Sequence, residues 1–191
     1  MRAPTTLLAT LLGATGFVVG CASTPATPAV APSATLARPT VPDAIAVPEG
    51  AVVTAHFHAR GAQVYACGPG PAGGAAYAWT LKRPDATLSG DDGRPVGTHT
   101  AGPTWTSSDG SAVVGKKLAQ ADAPESTAVP WLLLGAVSTT GAGIFADVTF
   151  VQRVATSGGK APADGCGADN VGAEQPVPYT ADYYFYKGGK P

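Results

Sequence analysis

The chain has 191 residues, 13% of them charged, with 25 glycines, 18 prolines and a formal net charge of −1. That length suits one domain with its own core, and so much glycine and proline disfavours long helices, since those residues cost about 1 and 3 kcal/mol inside one. No basic cluster is present, so the electrostatic footprint of a nucleic-acid binder is missing and that class of partner is excluded.

Residues 1–20 read as a signal peptide: Arg2, then an apolar run from Leu7 to Val19 that meets "VVGC" at Val18 to Cys21. The ending resembles the lipobox of bacterial lipoproteins, in which the cysteine, here Cys21, is lipidated and becomes the mature N-terminus. The resemblance implies a membrane partner through a lipid anchor, placing the protein in the bacterial cell envelope at the outer membrane. An ordinary cleaved signal peptide or a single span are the alternatives, and the run is short for a span. Residues 21–45 are rich in Ala, Pro, Ser and Thr, an extended spacer without core-forming residues. A single β-rich domain is expected over 46–191.

Without Cys21, an even pair remains, Cys67 and Cys166. In an exported chain that predicts a disulfide, and neither cysteine has the close-spaced partners a metal site needs.

The domain's apolar residues alternate with period two. "AVVTAHFHA" and "AQVYAC" read as strands joined by a turn at Arg60-Gly61. "AAYAWTLKRP" follows a Gly/Pro loop and is expected to stop at Pro84. "SAVVGKKLA" and "PWLLLGAVST" come next, the latter also compatible with a short buried helix. "IFADVTFVQRV", residues 144–154, has the clearest alternation, and "YTADYYFY" closes the domain with Tyr179, Ala181, Tyr183 and Phe185 on one face. Residues 156–178 have no pattern and read as a long loop tied down by Cys166. The fold class is all-β, an antiparallel β-sandwich or a partly closed barrel with long loops.

Chemistry is harder to place. "GPGPAG" at 68–73 formally matches a dinucleotide glycine motif, but its prolines remove N–H donors and no helix follows. His56 and His58 share one strand face, and with His99 they make a candidate three-histidine metal site, weighed against histidines that are merely half-exposed or hydrogen-bonded in a turn. Ser107, Ser108 and Ser111 lie near Asp109 and His99 but without a nucleophile elbow, so "SSDGS" reads first as a turn. No carboxylate pair stands out among Asp91, Asp92, Asp109, Asp147 and Asp182.

The stretches "GAQVYAC", Trp79-x-Leu81, "VGTHTAGPTWTSSDGSAVVG", "PWLLL", "GAGIFADVTFVQRVATSGGKAP" with the following "GC", and "VPYTADYYFY" resemble, in this order, a family of exported bacterial and fungal proteins known as a domain of unknown function. The resemblance spans about Val52 to Tyr186. It matches both cysteines and the polar set Gln63, His99, Trp105, Asp109 and Arg153, departs from the family at "HFH", and implies no activity or cofactor. Two functions are carried forward. One is an envelope module that binds a small-molecule, polysaccharide or protein ligand, or is structural. The other is an enzyme whose site gathers His99, Asp109, Arg153 and Asp182, with a structural Arg153–Asp182 bridge as its plain alternative.

Overall fold

The computed structural model describes residues 36–70 and 77–189. Eight antiparallel strands form one sheet: β1 (Val52–Pro69), β2 (Tyr77–Ser89), β3 (Pro95–Thr100), β4 (Thr104–Ser107), β5 (Ala112–Ala121), β6 (Trp131–Thr140), β7 (Phe150–Gly158) and β8 (Glu174–Lys187). Each strand pairs with the next. β8 then pairs with β1 from Val52–Lys187 to Ala66–Glu174, which closes the ring. The all-β expectation holds and the barrel form is the one adopted. "WLLLGAV" is strand, not helix. The ring is uneven, because β1 has 18 residues and β4 only 4.

Three expectations about strand limits are corrected. Arg60-Gly61 is not a turn, since β1 runs straight through and Gly61 pairs with both Ala86 and Tyr179. A Cβ on Gly61 would lie 2.1 Å from the Asp85 carbonyl oxygen, so the glycine serves close approach of two backbones. Gly61→Ala is therefore expected to cost about 1–3 kcal/mol in urea unfolding, as overpacking does; a change near zero would return the residue to a turn-like role.

β2 also continues past Pro84 to Ser89. Its pairing with β3 starts only at Ala86, so Pro84 sits where β2 has no outer neighbour and the missing N–H costs no ladder bond on that side. Finally, the strand anticipated from Ile144 begins at Phe150. Residues 143–148 turn, with Ala146 N–H donating to Gly143 and Val148 N–H to Phe145. That three-residue spacing sends Phe145 and Val148 together into the core. Alternation in the sequence there is incidental.

The interior packs Phe57, Leu88, Trp105, Val113, Leu134 and Phe185 into one cluster. A bulge between Val53 and Ala55 turns Val53 outward, to a second cluster with Leu133, Phe150 and Tyr186. The chain before β1 covers that outer cluster: Ile45 and Val47 are buried in it, and the Ile45 carbonyl accepts from Gln152 Nε2 at 2.7 Å. The boundary drawn at Ala46 thus falls inside a packed segment.

The expected disulfide is present. Cys67 and Cys166 are joined with their Cα atoms 5.4 Å apart. The loop after β7 is further held by Tyr65 Oη donating to the Gly159 carbonyl at 2.7 Å and Trp79 Nε1 donating to Asp164 at 2.9 Å.

Candidate functional site: a window into the barrel

The short β3–β4 hairpin leaves the wall incomplete. β3 pairs with β2 only over Ala86–Ser89, and β4 with β5 only over Ala112–Val114. Among the described residues no strand covers the facing edges of β2 before Ala86 or of β5 after Gly115. Below this window lies a cavity of about 220 Å³, rimmed by Leu81 to Pro84 of β2 and the Gly102-Pro103 turn. It reaches inward to Gln63, His99, Trp105, Arg153 and Tyr183.

Strand parity explains this convergence. On β8, Tyr179, Ala181, Tyr183 and Phe185 point inward as anticipated, and all are buried. Arg153 is level with Tyr183 on the neighbouring β7, and therefore points inward too. The residue is 8% exposed, and its Nε and one terminal nitrogen donate to the Pro130 carbonyl at 3.1 and 2.8 Å. Among the described residues no carboxylate pairs with it, and no Asp or Glu lines the cavity. A buried cation without a counter-charge is destabilising by several kcal/mol.

Around it stand further unmet polar groups. Gln63 Nε2, Trp105 Nε1 and the hydroxyls of Tyr179 and Tyr183 are buried and make no hydrogen bond of good geometry among the described residues, although Tyr179 lies beside Gln63 and Tyr183, and Tyr183 beside Arg153. Each such group costs about 1–3 kcal/mol when left unpaired. Burial pushes both tyrosine hydroxyls up in pKa, so they stay protonated and able to donate. His99 lies flat on Trp105, ring centres 4.4 Å apart and planes within 7°, and its Nδ1–H donates to the Thr104 carbonyl at 3.0 Å. Burial, with the Arg153 charge adding to it, lowers its pKa to about 3. The imidazole is neutral, with its Nε2 lone pair left to accept. Positive charge and N–H or O–H donors thus converge on an apolar, aromatic-walled space.

The other anticipated residues go elsewhere. Asp109 caps the turn before β5, accepting from Ser111 N–H and Oγ and from Ile144 N–H at 2.8, 2.6 and 2.9 Å. The Ser111 hydroxyl hydrogen is committed to that carboxylate, and no histidine is paired with Ser107, Ser108 or Ser111. Asp182 points outward from β8 to His56 and His58, so the Arg153–Asp182 bridge does not form. His56 and His58 also face outward while His99 is inside, so the three histidines do not meet. Asp92 lies beside Arg94 and Asp147 beside Lys187. Cys21 lies outside the described residues, as do residues 71–73, the second half of "GPGPAG". The four-residue enzyme site is therefore split: His99 and Arg153 share the cavity, Asp109 and Asp182 do not reach it.

Sequence reasoning missed Tyr179 and Tyr183 as polar participants, having counted them only as inward-facing apolar residues. It also missed β3 and β4, whose "PVGTHT" and "TWTS" lack apolar alternation. Four of the five polar residues behind the family resemblance line the one cavity. A family model described as "Protein of unknown function (DUF3455)" matches residues 48–187. The chain belongs to the DUF3455 family. None of the curated proteins and none of the solved structures matches it. In this DUF3455 domain the matched span starts just before β1 and ends with β8, so it takes in the whole ring.

Proposed function

We propose that this domain is a binding module for a small organic anion, admitted through the window between β2 and β5 and held by Arg153. The observation that carries the reading is a buried guanidinium with no carboxylate partner among the described residues, in a cavity that Gln63, Trp105 and Tyr183 line with buried polar atoms lacking a well-formed hydrogen bond. A carboxylate, phosphate or sulfate ester supplies the missing acceptor and charge, and Arg is suited to such planar, bidentate contacts. The flat His99–Trp105 pair and Leu134 offer a wall for the ligand's apolar part. A cavity of about 220 Å³ sets the scale at a small molecule, not a polymer segment. The lipid tether at Cys21 and a place at the outer membrane of a bacterial envelope belong to the same proposal and rest on "VVGC" alone.

The test is thermal unfolding and tryptophan fluorescence of the domain against a panel of small carboxylates, phosphate monoesters and sulfate esters. At a concentration about 100-fold above Kd, a matching anion adds about 2.7 kcal/mol of stability. Arg153→Met is expected to remain folded without ligand, because it removes an uncompensated charge, and to lose that response. Lack of any response across the panel, or an unchanged response in Arg153→Met, would overturn the reading.

A further inference from the structure

A second cluster lies on the outer wall of the barrel and shares no residue with the cavity. β1 presents His56 and His58 on one face, two residues apart. The β1–β8 register sets Asp182 opposite His58 and Tyr184 opposite His56. The connection between β2 and β3 adds Asp91.

Both nitrogens of each ring face a carboxylate. Asp91 Oδ1 lies 3.4 Å from His56 Nδ1 and 3.2 Å from His58 Nε2. Asp182 takes the opposite nitrogens, at 2.7 Å from His58 Nδ1 and 3.7 Å from His56 Nε2. A neutral imidazole carries one N–H, so each ring keeps one lone pair near a carboxylate, and His56 Nε2, 3.7 Å from Asp182, is buried without a hydrogen bond. That arrangement lacks a cation, and a metal ion supplies it in one step.

We propose that His56 Nδ1, His58 Nε2 and the Asp91 carboxylate bind a divalent transition-metal ion of the zinc type, with Asp182 as the residue that orients the His58 imidazole. One ligand atom from each of the three residues lies within 4.8 Å of the others. Ligands about 2.0–2.1 Å from a tetrahedral ion are separated from one another by roughly 3.3–3.5 Å, close to the 3.4 and 3.2 Å measured here. The hydrogen bond from His58 Nδ1 to Asp182 places that ring's proton away from the ion, the pattern by which a carboxylate fixes a ligating histidine. Tyr184 stacks on His56 with ring centres 4.3 Å apart and holds its orientation.

Three protein ligands leave a position open, and a groove of about 650 Å³ lined by His58, Arg60, Ser89, Asp91 and Asp182 adjoins it. The groove is also lined by Ala155, held at a φ of 48° in an irregular part of β7. Alanine is seldom held in that region unless its surroundings require it.

The experiment is calorimetric titration of the untagged chain with zinc at neutral pH, paired with cobalt(II) absorption as a spectroscopic readout of the ligand field. One zinc per chain and visible cobalt bands are expected. Asp182→Asn is expected to weaken binding roughly 10–100-fold, as loss of an orienting partner does, while His58→Ala and Asp91→Asn weaken it further. Both of those side chains are substantially exposed, at 49% and 76%, so the variants are expected to fold. Absence of zinc heat and cobalt bands in the unaltered chain overturns the proposal, as does a His58→Ala variant that binds like the unaltered chain. The anion test turns on Arg153 and is independent of this result.

Discussion

Acidification from pH 6.5 towards pH 3 is expected to remove up to roughly 5 kcal/mol of folding stability through His99 alone. The histidine titrates near 6.5 in an unfolded chain and at about 3 in the folded one, because burial and the Arg153 guanidinium oppose its charged form. A folded-state pKa below the unfolded one means that the stability is fully present above pH 6.5. It drains away as the pH falls through the interval, since the unfolded chain takes up the proton first. Arg153, Trp105 and Tyr183 face the ring. Asp109 is held low by its Ser111 and Ile144 hydrogen bonds and adds a further loss only below the ordinary carboxylate range. His56 has the opposite sign: the Asp182 carboxylate raises its pKa against burial, so its contribution is present below 6.5 and fades as the pH rises through the raised value.

Domains of this size have about 5–15 kcal/mol in all, so the His99 effect alone can bring the domain close to acid unfolding. Urea unfolding at a series of pH values checks it. His99→Gln is expected to be less stable at neutral pH but to show a much flatter loss between pH 6.5 and 4. An equal slope in the variant would assign the acid sensitivity to other groups.

Reducing the Cys67–Cys166 bridge is expected to cost about 2–5 kcal/mol. The bridged residues are 99 positions apart, so the bond restricts nearly three-quarters of the ring, Val52 to Lys187, in the unfolded state. The segment it holds has little apolar packing: residues 163–165 and 171–176 are exposed. Its remaining ties are polar, including the paired backbone bonds of Cys67 with Gly172 and Ala173, both 2.9 Å. Denaturant midpoints with and without reductant, and for a Cys67→Ser/Cys166→Ser variant, measure the effect. A loss below about 1 kcal/mol would mean that those polar ties suffice.

The parts legible in the sequence are those whose signal is local. β8 shows its inward face through Tyr179, Ala181, Tyr183 and Phe185, and β6 through a run of leucines bounded by Pro130. The cysteine pair needed only an exported context. Gly61 was misread because its reason lies in Asp85 and Ala86 on another strand, and a close approach leaves no local trace. Phe145 was placed on a strand because a turn that buries every third residue can imitate alternation over a few positions. The cavity required two facts absent from any local pattern, that the ring closes and that β3 and β4 are short. His99 and Arg153 are 54 positions apart and meet only through that closure. The outer cluster has a partial signal in "HFH", but Asp182 and Asp91 join it through the register of β8 and the reach of a loop.

The window has a cost that the sequence around it addresses. Where the hairpin falls short, no described strand pairs with β2 before Ala86 or with β5 after Gly115 on the window side, and such open edges are the usual starting point for edge-to-edge aggregation. β2 carries Lys82, Arg83 and Pro84 along that edge. β5 carries Lys116 and Lys117 and breaks register between Lys117 and Ala119. Charge, proline and bulge are the devices by which natural sheets refuse an added strand. The wall can therefore stay open at this point while resisting polymerisation of the domain through its own edges.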